Sequence, residues 1–356
     1  MAQAPAASPQ PGGMAIPLID LSPLRQSPPD AAAVRHLAAE VDRACRQVGF
    51  LYVAGHGVSE EEMQGFMALT CRLFDLPQAA KNELDASRST LARGYNSLEL
   101  GKHSCTPEDG RQDVKESFTL GVERAAGDPR PPSPMHGPNQ WPPEALLPGW
   151  QAEAEAAFQR LLRVARLLMR ALALALLQPE SFFTDKCDDP VAQMVMFRYP
   201  PTGGGDAERG CGAHTDCGFL TLVCQDAPGI EVQLADGTWF AAPSIPGTFL
   251  VNLGDLAQRW TGDVYKSTVH RVVNRSTSVT RHSIVFFCNS NFDALVETIV
   301  PESSGGGGSG DQGGAGCGGG SGPEASGAEG GGCAPHLYPP VTAGKYILEK
   351  LGLMWD

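Results

Sequence analysis

Two histidines and an aspartate occupy positions from which they can meet at one ion. The chain contains Gly212-Ala213-His214-Thr215-Asp216 and, 54 residues beyond Asp216, Ser267-Thr268-Val269-His270-Arg271-Val272. Along a β-strand, residues i and i+2 project from one face, so His214 and Asp216 can converge while His270 arrives from another strand. Two neutral imidazoles and one carboxylate on one side of a metal leave the opposite positions open, a ligand set suited to non-haem Fe(II) that works on O2. An isolated HxD also arises by chance in a chain of this length, so a second feature has to support it.

That feature stands eleven residues after His270, where Arg281-His282-Ser283 heads another strand-like run, IVFF. Arg281 and Ser283 form a second i, i+2 pair that can clamp a carboxylate, the guanidinium through two charge-assisted bonds and the hydroxyl through a third. The charge balance suits a dicarboxylate. Fe(II) brings two positive charges, Asp216 cancels one, and a 2-oxo acid chelating through its keto oxygen and near carboxylate cancels the other, which leaves its far carboxylate for Arg281. Arg271 and Arg275 lie close by and read as a solvated basic pair in a turn. Cys211, Cys217 and Cys224 bracket His214 at spacings that match no zinc pattern and read as buried structural thiols. His56 is expected to cap a strand turn, His282 to point away from the clamp, and Asn252 and Asp255 to order the turn into Leu256–Trp260. Gly203 to Gly205 has no helix after it and gives no phosphate loop.

The elements that must position these groups follow from the pattern. Ile16 to Leu21 reads as a strand, and Asp30 to Val48 repeats apolar residues at helical spacing until Gly49 breaks it. Phe50 to Val53 is a strand, after which Ser59 and Glu62 match a capping box. Residues 88 to 135 read as loops with short strands, and Ala152 to Leu177 is the strongest helical segment. From Ala192 to Asn291 short Val, Ile, Leu, Phe and Thr runs alternate with turn residues, including a tight two-residue hairpin at Asp236-Gly237, as in a β sandwich or jelly roll. Ser303 to Ala334 is about half Gly and reads as a flexible linker. Thr342 to Leu351 is a last helix whose apolar face should dock back onto the domain. The expected division is a disordered tail 1–15, a mixed N-terminal region 16–135, a scaffold helix region 136–185, a β core 186–302, the Gly-rich linker 303–335 and a C-terminal helix 336–356.

Composition limits the partners. The chain has 356 residues with 27 Lys+Arg against 40 Asp+Glu, a formal charge of −13, which argues against a nucleic-acid groove or a basic membrane-surface patch. Ten cysteines without a CxxC pair favour reduced thiols and a cytoplasmic protein, and Met1 to Gly13 lacks the basic character of a targeting segment. The longest apolar stretch, Leu167 to Leu177, is interrupted by Arg170 and is too short to span a bilayer.

These segments resemble the isopenicillin N synthase-like branch of the Fe(II) and 2-oxoglutarate-dependent dioxygenases. The likeness runs from IPLIDLSPL and GFLYVAGHGV through RGYNSLE, KESFTLG and FRYPP to GAHTDCGFLTLVCQD, PGTFLVNLGD, STVHRVVNRS, RHSIVFF and the closing YPPVTAGKYILEKL. It implies a mainly β fold with flanking helices: a double-stranded β-helix (jelly roll) core beside an N-terminal mixed α/β region. It also implies iron on His214, Asp216 and His270, 2-oxoglutarate on Arg281 and Ser283, O2 as the oxidant, and ascorbate as an accessory reductant. Tyr199 matches a tyrosine that in relatives reaches co-substrate or substrate. Phe197 stands where some members have Asn, which removes a polar contact. The reaction expected is oxidation of a small organic substrate by a monomer, with release of succinate and CO2. Phe219, Phe287 and the loop near Tyr95 are the expected substrate walls. Two rivals stand beside this reading: an oxidase of the isopenicillin N synthase or aminocyclopropanecarboxylate oxidase type, in which Arg281 holds a substrate carboxylate, and a catalytically silent ligand-binding module.

Overall fold

The computed structural model describes residues 16–97, 113–125, 127–130, 133–201, 210–299 and 338–352; the expected tail, the Gly203 to Gly205 run and the Gly-rich linker lie outside them. Leu18–Asp20 (β1) leads to helix α1, Ala31–Gln47, whose N-terminus is capped by the Asp30 carboxylate accepting from Ala32 and Ala33 N–H. Gly49 follows with φ +70°, a conformation that ends the helix and turns the chain into β2, Phe50–Ala54. Helix α2, Glu60–Phe74, opens on the Ser59/Glu62 capping box that its sequence predicts. Helix α3, Gln78–Asn82, and the strands β3, Gly94–Asn96, and β4, Glu116–Gly121, precede the long helix α4, Trp150–Ala175.

The second half is strand after strand: β5 Pro190–Tyr199, β6 Cys211–His214, β7 Leu220–Gln225, β8 Ile230–Gln233, β9 Trp239–Ala241 and β10 Phe249–Leu253. Helix α5, Asp255–Trp260, then leads to β11 His270–Val272, β12 Arg281–Asn291, β13 Leu295–Val296, β14 Val341–Thr342 and helix α6, Ala343–Lys350. An eight-stranded sheet has the order β1-β2-β10-β7-β12-β5-β4-β3, and a four-stranded sheet the order β6-β11-β8-β9. The protein is therefore mainly β with a jelly-roll core, and strands from the N-terminal third extend the larger sheet at both edges.

Alternation along the strands divides the interior in two. Leu51, Leu222, Met194, Ile284 and Phe286 turn toward the helices, where Phe286 meets Phe158 of α4 edge-on at 5.0 Å. Phe50, Tyr52, Tyr199, Val223 and Leu250 turn the other way and pack with Ile230, Val232 and Val272 of the smaller sheet. Each large side chain buried in either layer stabilises the fold by roughly 1.5–3 kcal/mol. Helix α6 docks as expected, with Ile347 buried and Gly344 against the Phe292 ring.

The hairpin between β8 and β9 is present but its turn differs from the expected one. Gly237 N–H donates to Leu234 O at 2.9 Å, Leu234 N–H donates to Thr238 O, and Gly237 alone in the turn has a positive φ, +84°. A two-residue type I′ turn needs φ > 0 at both central residues, which Asp236 does not adopt; the loop is three residues long with Gly237 in the left-handed position.

A buried charge network ties α3 to the β3–β4 edge. Lys81 Nζ donates to Glu116 at 2.9 Å, the Tyr95 hydroxyl donates to the same oxygen at 2.6 Å, and Arg198 engages the other oxygen. Tyr95 itself is buried in this network, and most of the loop that follows it, expected to wall the substrate site, lies outside the described residues. Removing the carboxylate leaves Lys81, only 4% exposed, without a counter-charge. Glu116→Ala is expected to lower unfolding free energy by about 3–5 kcal/mol, read from urea denaturation, and Lys81→Met in the same chain should restore part of the loss.

Candidate metal centre

Strands β6 and β11 are antiparallel neighbours in the smaller sheet, with His214 opposite His270 and the ring centroids 4.4 Å apart. Asp216 stands just past the end of β6 and directs Oδ1 toward both rings, 3.7 Å from His214 Nε2 and 3.8 Å from His270 Nε2. Those separations are too long for hydrogen bonds. Each imidazole has its other nitrogen on a backbone carbonyl: His214 Nδ1 donates to Gly212 O at 2.8 Å and His270 Nδ1 to Thr268 O at 3.1 Å. A carbonyl only accepts, so Nδ1 carries a proton and, in the neutral ring, Nε2 presents a lone pair. The ligand atoms of the three residues lie within 4.8 Å of one another, the one such grouping found among the described residues.

The carboxylate is divided between two tasks. Its Oδ2 accepts from Thr221 Oγ1 at 2.6 Å and from Asn252 Nδ2 at 2.7 Å, which leaves Oδ1 facing the imidazoles. Thr221 and Asn252 are cross-strand partners on β7 and β10, so the acid that follows β6 is held by the opposite sheet. Burial pushes the Asp216 pKa up, but His270, His214, Asn252 and Thr221 together bring it below the ordinary carboxylate value. Burial pulls the His270 pKa below the ordinary imidazole value, against the opposing pull of Asp216. An anionic oxygen and two neutral imidazole lone pairs facing a common gap fit a divalent cation, and the N2O set suits Fe(II). The loop after Asp216 is fixed as well: Asp255 N–H donates to Asp216 O at 2.7 Å, and Phe219 N–H to Asn289 Oδ1 at 2.7 Å.

Arg281 and Ser283 lie on the face of β12 that looks toward the smaller sheet. Arg281 is 1% exposed and directly opposite Tyr199 on β5, with its guanidinium 4.8 Å from the tyrosine ring centroid. Its Nε donates to Ala227 O at 3.1 Å, its Nη2 to Gln225 Oε1 at 2.7 Å, and its Nη1 lies 3.5 Å from Ser283 Oγ. A Cβ on Gly229 would fall 2.7 Å from Arg281 Nε, so the arm passes over a position where only hydrogen fits. Burial pulls the Arg281 pKa down, yet a guanidinium remains cationic at any physiological pH. Burial raises the pKa of Tyr199, whose phenol is neutral. No described carboxylate forms an ion pair with Arg281, so a full positive charge stands buried with neutral partners.

Several expectations are corrected. Asn252 braces Asp216 and does not order the turn into α5, whereas Asp255 does so through its backbone N–H. Arg271 and Arg275 both engage Glu231, at 2.6 and 2.7 Å, and Arg271 stacks 4.1 Å from the Trp239 ring centroid, so the pair is not simply solvated. Phe219 packs with Phe183 and Trp260 on the helix side of the larger sheet and is not a cavity wall. Phe287, opposite Thr221, does face the interior. His282 pairs with Asp226 at 2.9 Å away from the clamp, and His56 joins the turn to Gly247 O, as expected. Thr221 and Gln225 were missed: Thr221 meets Asp216 across the short turn between β6 and β7, and Gln225 reaches Arg281 only through strand register.

Known proteins share this framework. Residues 16–144 match the family described as non-haem dioxygenase in morphine synthesis N-terminal, and residues 190–290 match the 2OG-Fe(II) oxygenase superfamily. A homoarginine-6-hydroxylase of Oryza sativa subsp. japonica is 35% identical over 297 residues, covering 80% of this chain and 88% of the relative. A 2-oxoglutarate-dependent dioxygenase of Monascus ruber is 34% identical over 294 residues, covering 78% and 85% respectively. The crystal structure of a full-length Neurospora crassa protein with alpha-ketoglutarate and thymine aligns with a TM-score of 0.76 at 25% identity, over 96% of this chain and 98% of that one.

The bracing of Asp216 yields a test that needs no turnover. Asn252→Ala is expected to weaken Mn(II) binding by about tenfold or more in titration calorimetry with the circular dichroism spectrum unchanged; wild-type affinity in the variant would contradict the role given to Asn252.

Proposed function

The chain belongs to the 2OG-Fe(II) oxygenase superfamily, and from that premise we propose that His214, Asp216 and His270 hold its Fe(II) while Arg281 and Ser283, with Tyr199 beside them, receive the far carboxylate of 2-oxoglutarate. The protein is an Fe(II)- and 2-oxoglutarate-dependent dioxygenase that uses O2 on a small organic substrate. The observation that carries the residue assignment is the division of Asp216, with one oxygen held by neutral donors and the other facing two imidazole lone pairs across a gap.

Bound together, ferrous iron and 2-oxoglutarate supply O2-dependent oxidation of a substrate with decarboxylation of the 2-oxo acid to succinate and CO2. The chain's own residues orient and shield. Gly212 O and Thr268 O fix the tautomers of the two histidines. Phe50, edge-on to His270 at 5.4 Å, keeps water from that ring. Tyr199 covers one face of the Arg281 guanidinium, and a desolvated cation binds an incoming carboxylate more strongly than an exposed one. Substrate lies over the metal with Phe287 in its wall.

On this reading the catalytic core is 186–302, supported by the mixed region 16–135, the scaffold helix region 136–185 and the C-terminal helix 336–356. A monomer in the reducing cytoplasm completes it. The seven described cysteines are free thiols, and no helix among the described residues is long and apolar enough to cross a membrane.

Succinate formation from 2-oxoglutarate, followed with O2 uptake across a metabolite library, tests the assignment. His214→Ala should abolish Fe(II)-dependent succinate release. Arg281→Ala should raise the 2-oxoglutarate requirement by about tenfold or more while leaving the Fe(II) requirement within about twofold. Full turnover in the first variant, or an unchanged 2-oxoglutarate requirement in the second, would refute the corresponding role.

A further inference from the structure

The partners of Arg281 have one property in common: none carries charge. Gln225 Oε1 accepts from Nη2 at 2.7 Å, Ala227 O accepts from Nε at 3.1 Å, Ser283 Oγ lies 3.5 Å from Nη1, and Tyr199 offers a ring face and a neutral phenol. A guanidinium only donates, so the oxygen of the Gln225 amide must be the end that faces it. The acid next in sequence, Asp226, makes no hydrogen bond to Arg281 and acts on it only through space, since it accepts from His282 N–H at 2.8 Å and engages His282 Nδ1 at 2.9 Å. Gln225 ends β7 directly opposite Ser283, so register places it beside the clamp. Burying a guanidinium without a carboxylate is unfavourable, and the ordinary remedy would be an acidic residue at such a position.

We propose that Gln225 is a positioning and specificity-determining residue for co-substrate binding: a neutral acceptor that fixes the Arg281 fork without cancelling its charge, so that the site favours a dicarboxylic 2-oxo acid over a monocarboxylic one. This rests on the reading that Arg281 receives the far carboxylate. Ala227 and Gln225 take the Nε N–H and one N–H of Nη2, which leaves the second N–H of Nη2 and those of Nη1, next to Ser283 Oγ, to present to the ligand. A glutamate in place of Gln225 would keep the geometry and form an internal ion pair. The far carboxylate would then meet a neutral pair in place of a cation, and the advantage of carrying that carboxylate would vanish.

The test is anaerobic calorimetry on the full chain loaded with Mn(II), titrated with 2-oxoglutarate and with 2-oxopentanoate, which keeps the chelating end and lacks the far carboxylate. Gln225→Glu should weaken 2-oxoglutarate by about thirtyfold or more and leave both 2-oxopentanoate and Mn(II) within about twofold of wild type. Gln225→Ala, which keeps the charge but loosens the fork, should weaken 2-oxoglutarate by about fivefold, again without moving 2-oxopentanoate. Wild-type 2-oxoglutarate affinity in either variant, a parallel loss of both ligands, or a greater loss in Gln225→Ala than in Gln225→Glu would overturn the inference. Should Gln225→Glu not fold, the Gln225→Ala titrations decide alone. Arg281→Gln separates the two layers: if it fails to weaken 2-oxoglutarate, the clamp reading itself falls, whereas a weakened Arg281→Gln beside an unchanged Gln225→Glu removes only the role of Gln225.

Discussion

The carboxylate of Asp216 has to answer to both sheets at once. From the larger sheet Asn252 and Thr221 donate to Oδ2, and from the smaller sheet His214 and His270 face Oδ1 at 3.7 and 3.8 Å. A buried anion is unfavourable unless its lone pairs are satisfied, and here half of them are satisfied by hydrogen bonds while the other half face imidazole lone pairs. A divalent cation in the gap would satisfy the oxygen and both rings together. The spacing of the sheets is therefore part of the metal chemistry, and the two hydrophobic layers that set the spacing serve the site as directly as its ligands do.

The second constraint is the charge of Arg281. It lies in the same interior as the triad, under Tyr199 and beside Ser283, with neutral groups for partners. Asp216 and a chelating 2-oxo acid would balance a ferrous ion, and the far carboxylate would balance Arg281, so the cavity approaches neutrality when loaded. An anionic co-substrate would answer an electrostatic need built into the barrel, beside the end of β7 opposite the one that braces Asp216.

The convergence of His214 with Asp216, and of Arg281 with Ser283, was readable in the sequence because β geometry makes i, i+2 spacing a statement about direction. The helices were readable for the same local reason, from the Ser59/Glu62 box and the uninterrupted run of α4. What escaped were contacts made across strands. Asn252 reaches Asp216 because β10 lies beside β7 in a particular register, and Glu231 collects Arg271 and Arg275 because β8 pairs with β11. Phe219 was misassigned because an aromatic in a strand shows its type but not which of two cores it enters. The hairpin at Asp236-Gly237 shows the same limit on a small scale, since one residue with positive φ sufficed where two were expected.

The central claim is that one ferrous ion is shared by His214, Asp216 and His270, with Cys211 and Cys217 close by but outside its coordination shell. X-ray absorption fine structure of the Fe(II)-loaded protein addresses this without reference to turnover. A first shell of nitrogen and oxygen only is expected, with the multiple-scattering signature of two imidazole rings. A sulfur scatterer in that shell, or the absence of imidazole scattering, would contradict it.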